Sequence, residues 1–280
     1  MNFLITGSNG QLGKEFQQFF INNKINYIAT TKDNFDITNK DQMIKFLKSN
    51  NDLTHIINCA AYTDVDKAEK EWQKAYNINS FGVKNIVEIS NEVNLDLIHF
   101  STDYVFSGKK GNYTTNDKPK PINNYGKSKV FGEQELKKLE KHFLVRTSWL
   151  FGKDGDNYVK KIIKWSKERD SLKITTDEIS SPTYTVDLVK SVLELIKSNK
   201  HGTYHITNTP CSRYEWAEFI LDKLKWKGKL IKAKQKDFDL PAKRPENSVL
   251  DNSKFEKIIG VKMRNWQNAT DRFLKQMNYI

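Results

Sequence analysis

Short apolar runs and stretches of helical period alternate through the first half of this chain. Residues 3–6 (FLIT) form an apolar run that stops at Gly7, and an amphipathic stretch follows over 11–21, so the opening reads as strand, glycine turn and helix. The same reading predicts a strand at 25–30, a helix at 41–50, a strand at 54–60, a helix at 75–93 and buried strands at 95–101 and 142–150. A helix carrying Tyr125 falls between those last two strands. Repeated β-α steps of this kind predict an α/β fold, a doubly wound parallel sheet covered by helices on both faces. Past residue 150 the alternation loosens into a helix near 156–168, a strand at 172–175, a helix at 185–198, the segment GTYHIT at 202–207 and a helix at 213–224. We read 1–150 as a first domain and 151–280 as a smaller lobe, some of whose segments return to the first sheet.

The first turn carries Gly7-Ser8-Asn9-Gly10-Gln11-Leu12-Gly13 between a predicted strand and a predicted helix, which is the context of a dinucleotide-phosphate loop. Glycines let backbone approach a pyrophosphate, and the helix N-terminus supplies free N–H groups and partial positive charge to the anion. A tight turn with no ligand would need the same glycines. The spacing G-x-x-G-x-x-G also departs from the G-x-G-x-x-G of ordinary dehydrogenases.

A second candidate is NNYGKSK at 123–129, directly after a turn-prone run containing Pro119 and Pro121. Four residues apart on a helix, Tyr125 and Lys129 share one face at about 5–6 Å between Cβ atoms. An ammonium beside the phenol would lower the phenol's pKa and make it a proton donor for a carbonyl oxygen. Taken alone, the pair also suits an ordinary amphipathic helix.

Composition narrows the classes. The net charge is +12, from 46 basic and 34 acidic residues, yet the lysines are scattered, and dense runs such as ELKKLEK at 135–141 interleave acids as solvated helix faces do. That pattern argues against nucleic acid as the partner and leaves an anionic surface or a phosphorylated ligand. No apolar run approaches the ~18–20 residues of a membrane span, and residues 1–7 lack the pattern of a secretory signal, so a cytoplasmic location is expected. Cys59 and Cys211 lack zinc-site spacing and are too few for a disulfide framework.

The glycine spacing and Tyr-x-x-x-Lys, in one chain and in that order, resemble the extended short-chain dehydrogenase/reductase superfamily, a Rossmann-type fold. STDYVFSG (101–108), INNYGKSKVFGE (122–133), VRTSWLFG (145–152), SPTYTVDL (181–188) and RPENSVLD (244–251) narrow the resemblance to the dTDP-4-dehydrorhamnose reductase family, over practically the whole length. The resemblance implies NADPH-dependent reduction of a sugar ketone, with Tyr125 as proton donor, Lys129 tuning it and holding the nicotinamide ribose, and Thr102 holding the substrate oxygen. Asn79 falls on an asparagine linked to water and lysine positioning.

For the cofactor, the resemblance points to Gly7, Gly10, Gln11, Leu12 and Gly13 at the phosphates, Asp36 and Ile37 by the adenine, and Ala60, Ala61 and Tyr62 along the ribose and nicotinamide. Lys32 suits a 2′-phosphate and Asp33 a 2′-hydroxyl, so NADPH is favoured with NADH open. Asp103 and Trp149 match positions that contact the sugar, and Arg244 is a candidate for the diphosphate. Some relatives pair through magnesium held by glutamates. Glu15 falls on one such position, but Val186 on another cannot ligate a hard cation, so no metal is expected and homodimer formation stays open. Glu178 and Ser180 stand where the family usually has glutamine and glycine. Two other readings remain: a reductase of another nucleotide-linked 4-keto-6-deoxy sugar, and a non-catalytic regulatory subunit like that of methionine adenosyltransferase.

Overall fold

The predicted alternation is realised in the computed structural model, which describes residues 1–280. Strand β1 (Phe3–Thr6), helix α1 (Gln11–Asn23), β2 (Tyr27–Ala29), α2 (Lys40–Lys48) and β3 (His55–Asn58) come first. Short helices α3 (Lys67–Lys70) and α4 (Trp72–Tyr76) run through a π-helical turn (Asn77–Phe81) into α5 (Gly82–Glu92). Then come β4 (Asp96–Thr102), α6 (Asn124–Leu136) and β5 (His142–Thr147). The remainder comprises β6 (Leu150–Phe151), α7 (Tyr158–Glu168), β7 (Ser171–Thr175), β8 (Ile179–Ser180), β9 (Thr183–Tyr184), α8 (Thr185–Lys197), β10 (Gly202–His205), β11 (Cys211–Ser212), α9 (Arg213–Lys223), β12 (Lys229–Ala233), α10 (Ser253–Ile259) and α11 (Trp266–Gln276).

Six strands form one parallel sheet in the order β10-β5-β4-β3-β1-β2. Alternate residues of β1 feed opposite faces: Phe3 and Ile5 pack with Phe16 and Phe20 of α1 and Leu188 and Val192 of α8, while Leu4 packs with Met43, Val83 and Ile86. Burial on both faces is why these strands read as continuous apolar runs. The strand order reverses between β1 and β3, which opens a crevice at their carboxyl ends, the usual ligand position in such sheets.

The chain returns to this sheet late, with β10 pairing in parallel with β5 from Gly202–Phe143 to His205–Arg146. A separate core, containing Phe151, Ile162, Trp216, Trp266 and Phe273, joins α7, α9 and α11 beside the parallel pair β7–β12. The strand predicted at 142–150 ends at Thr147, because Trp149 adopts a left-handed backbone (φ 44°) before the chain re-extends as β6. Helix α11 is unassigned in the sequence reading, although Trp266, Ala269, Thr270, Phe273 and Leu274 form its buried stripe at helical spacing. No helix is long and apolar enough to cross a membrane.

Candidate active site

The crevice between β1 and β3 holds a cavity of about 370 Å³ whose walls include Gly7, Gly10, Asp36, Ile37, Ala60 and Ala61. Gly7 turns the chain at φ 62°, and a Cβ there would sit 2.6 Å from the Ala60 backbone nitrogen, so only glycine closes this turn against β3. Helix α1 starts at Gly10 with no side-chain cap and no acid in its first turn, which leaves its first N–H groups and partial positive charge available to an anion. Gln11, Leu12 and Gly13 form that first turn without lining the cavity. Leu12 is buried in the core below, and Gln11 Oε1 accepts from Asn157 Nδ2 at 3.2 Å at the start of α7.

Lys32 and Lys74 also reach the cavity wall, whereas Asp33 does not. Asp33 accepts from the Thr31 hydroxyl at 3.3 Å, and Asp36 turns Oδ1 into its own loop to accept from the Thr38 N–H and hydroxyl at 2.9 and 2.8 Å. Lys74 is missing from the sequence reading. It arrives from α4, a helix no glycine pattern points to. The wall is thus richer in cations than the sequence around β2 suggests. The glycine turn, the open helix terminus and this wall fit a dinucleotide phosphate.

Beyond the cavity, Asn79 in the π-helical turn uses its whole amide as a brace. Oδ1 accepts the Tyr62 N–H at 2.9 Å, and Nδ2 donates to the Tyr62 carbonyl and to Ser128 Oγ, both at 2.9 Å. Ser128 in turn donates to the Tyr125 carbonyl at 2.7 Å. Tyr62 packs near Tyr125 and gives its hydroxyl to Glu71 at 3.2 Å.

Helix α6 presents a polar face to the interior: Gly126, Ser128, Lys129, Gly132 and Glu133 are buried along it. Asn123 caps it by accepting the Gly126 N–H at 2.7 Å, and Glu69 accepts the Asn124 N–H at 2.8 Å. A Cβ at Gly126 would lie 2.2 Å from the Tyr104 carbonyl oxygen, so this glycine brings the helix against the end of β4. Tyr125 is half-buried there. Its phenol is pushed up to about 12 by burial, opposed by the Thr102 hydroxyl and reinforced by Asp103. This corrects the expectation that Lys129 lowers it. Lys129 Nζ instead donates to the Phe100 carbonyl at 2.6 Å and faces His99 Nε2 at 3.3 Å, and burial lowers its own pKa to about 8. The phenol therefore holds its proton at neutral pH.

Thr102 ends β4 with its hydroxyl donating to Asp103 Oδ1 at 3.1 Å and accepting the Tyr104 N–H at 3.2 Å. Asp103 is 2% exposed and also takes the Ser180 hydroxyl at 2.9 Å and the Ser248 hydroxyl. Its carboxylate stitches the end of β4 to Ser180 of β8 and to the segment around Ser248. Trp149 is half-buried and stacks on Trp216, with the Arg213 guanidinium 3.6 Å from its ring centre. Arg213 is absent from the sequence reading, where it shows only as a lone arginine after a short strand. Arg244 Nη2 donates to Asp66 Oδ2 at 2.6 Å and Nη1 to the Ala242 carbonyl at 2.6 Å.

The family model described as the RmlD substrate binding domain matches residues 1–279. The chain belongs to this family. A relative from Aggregatibacter actinomycetemcomitans, named dTDP-4-dehydrorhamnose reductase, is 38% identical over 95% of this chain and 96% of its own. Among solved structures, dTDP-4-dehydrorhamnose reductase from Bacillus anthracis in complex with NADP is 39% identical with a TM-score of 0.94, covering 99% of this chain and 100% of the other. A Clostridium acetobutylicum ortholog is 38% identical with a TM-score of 0.96 over the same shares. In this member of the RmlD family, Glu15 accepts the Thr185 hydroxyl at 2.9 Å, beside Val186, and no cluster of three or more His, Cys, Asp or Glu could hold a metal ion.

Proposed function

We propose that this protein reduces the C4 ketone of dTDP-4-dehydro-β-L-rhamnose with NADPH, giving dTDP-L-rhamnose. The observation that carries this reading is the Tyr125 phenol beside the Thr102 hydroxyl, at the strand ends near a cavity whose glycine turn and cationic wall suit a dinucleotide. NADPH supplies the hydride. Tyr125 donates its phenolic proton to the C4 oxygen as negative charge develops there, and Thr102 holds that oxygen beside the phenol. Lys129 holds the ribose hydroxyls, Lys32 and Lys74 face the 2′-phosphate, and the first turn of α1 takes the pyrophosphate. In this reading Trp149 flanks the sugar, Asp103 orients Thr102, Arg244 turns from Asp66 to the diphosphate, and the lobe built on the Trp216 core closes over the sugar. A cytoplasmic location is part of this proposal, supported by the water-soluble cofactor and nucleotide sugar it calls for.

The relatives' names support this reading over a regulatory subunit, as does the complete set of Thr102, Tyr125 and Lys129. The test is oxidation of NADPH, and of NADH in parallel, with dTDP-4-dehydro-L-rhamnose and with other nucleotide-linked 4-keto-6-deoxy sugars. Fastest turnover of the rhamnose precursor with NADPH is expected. Turnover of another sugar alone would reassign the substrate, and no turnover of any would overturn the enzyme.

A further inference from the structure

A chain of buried groups runs from β1 to α6 beneath the cavity. Thr6 Oγ1 donates to Asn58 Oδ1 at 2.7 Å, and the Ala60 backbone N–H points at the same atom at 3.2 Å. A backbone N–H has nothing to accept with, so that atom is the amide oxygen and the amide nitrogen faces His99 Nδ1 at 3.0 Å. His99 Nδ1 is then the acceptor, and a neutral imidazole must carry its proton on Nε2. His99 is 1% exposed, and burial and the Lys129 charge hold its pKa well below the ordinary value, so the ring is neutral.

The consequence is a mismatch. Nε2–H points at Lys129 Nζ, 3.3 Å away, and an ammonium has only donors. The other buried histidine of the sheet shows a matched case. His205 Nδ1 faces the Tyr113 carbonyl at 2.9 Å and must donate, leaving Nε2 to accept from Arg146 Nη1 at 3.3 Å. At Lys129 the Phe100 carbonyl is the single protein acceptor within bonding distance.

We propose that His99 is a positioning residue which, by turning an N–H and not a lone pair toward Lys129, keeps the remaining Lys129 donors free for the hydroxyls of an incoming ligand. This rests on Lys129 binding the cofactor ribose, as set out above. It also makes the lysine easier to deprotonate than burial alone would. Glu133, on the same helix, is the charge that opposes this shift, and Arg146 of β5 pairs with it. Of the other ionisable groups on or against α6, Tyr125 stays neutral and Glu69 of α3 is bonded to the Asn124 N–H.

Nitrogen NMR of the histidine side chains in the full, unliganded chain at neutral pH tests the premise directly. Protonated Nε2 and bare Nδ1 at His99 are expected, and an Nδ1-protonated ring or an imidazolium overturns the proposal. The second measurement is NADPH affinity against pH. In the wild type it falls as pH rises past about 8, where Lys129 loses its charge. In His99→Phe, which keeps a ring but removes the N–H, that fall moves upward by roughly 0.5–1 pH unit. Equal weakening at every pH, with no movement, marks His99 as merely structural and overturns the proposal. If His99→Phe does not fold, Asn58→Asp replaces it: its carboxylate can only accept, so it favours a proton on Nδ1 and should reverse the tautomer seen by NMR. Absence of NADPH binding at any pH sinks the proposed function instead, and the tautomer of the wild type then decides on His99.

Discussion

Arg146 clasps Glu133 in a two-pronged pair, Nε to Oε1 at 2.8 Å and Nη2 to Oε2 at 2.6 Å, with side chains only 1% and 2% exposed. The Ser101 hydroxyl adds a third bond to Oε1 at 2.6 Å. This cluster ties α6 to β5 and β4 directly beneath Lys129. Removing one partner strands the other charge in the interior, so Arg146→Met should cost about 3–5 kcal/mol. Replacing both partners with apolar residues of similar volume should cost far less. Urea unfolding of the single and double variants checks this, and a single variant as stable as wild type would contradict it.

Tyr125→Phe removes one hydroxyl and little volume. Turnover should drop by about 10²–10⁴-fold, the usual contribution of a general acid, while NADPH affinity stays nearly intact. Steady-state kinetics and a cofactor titration separate the two. Full activity in the variant would remove Tyr125 from the mechanism.

Lys129 couples stability to pH. Its folded pKa, about 8, lies below the ordinary value of 10.5, so between those values the unfolded chain binds more protons. By linkage its contribution to stability rises with pH across that window and is least favourable below pH 8, where the buried charge is fully present. Lys129→Met should therefore be more stable than wild type at pH 7, with the gap narrowing toward pH 10. Denaturant midpoints at several pH values provide the check, and a constant gap would rule out a depressed lysine.

Arg244 and Asp66 make opposite predictions. Their ion pair is partly open to solvent, with side chains 15% and 34% exposed, and should be worth about 1 kcal/mol or less in stability. If Arg244 leaves Asp66 for a diphosphate, Arg244→Ala raises KM for the nucleotide sugar with kcat little changed. Asp66→Asn, which frees the guanidinium, lowers KM. A rise in KM in both variants would mean the pair serves only to hold the 240–245 segment in place.

The order of elements to β5, the glycine turn and the helix bearing Tyr125 were legible because they rest on local physics. Apolar runs, helical period and turn residues act over a few positions, and burial on both faces leaves an unmistakable apolar strand. The apolar stripe of α11 was equally local and went unassigned among its lysines and asparagines. The polar face of α6 carried a signal too, since a lysine and a glutamate on the inward stripe of a helix demand partners. The partners themselves, His99 and Arg146, sat in plain view as polar residues within strands predicted to be buried.

What sequence alone determined, then, was which segments form strands and helices and where a phosphate loop and a tyrosine–lysine pair occur. Tertiary structure decided whom those residues face. Lys129 meets a carbonyl and an imidazole nitrogen and not the phenol, Asp103 is filled by hydroxyls from Ser180 and Ser248, and Lys74 joins the cavity from a distant helix. The physical reason is that burial and hydrogen-bond direction set the charge and orientation of each group, and both depend on neighbours up to 145 residues away.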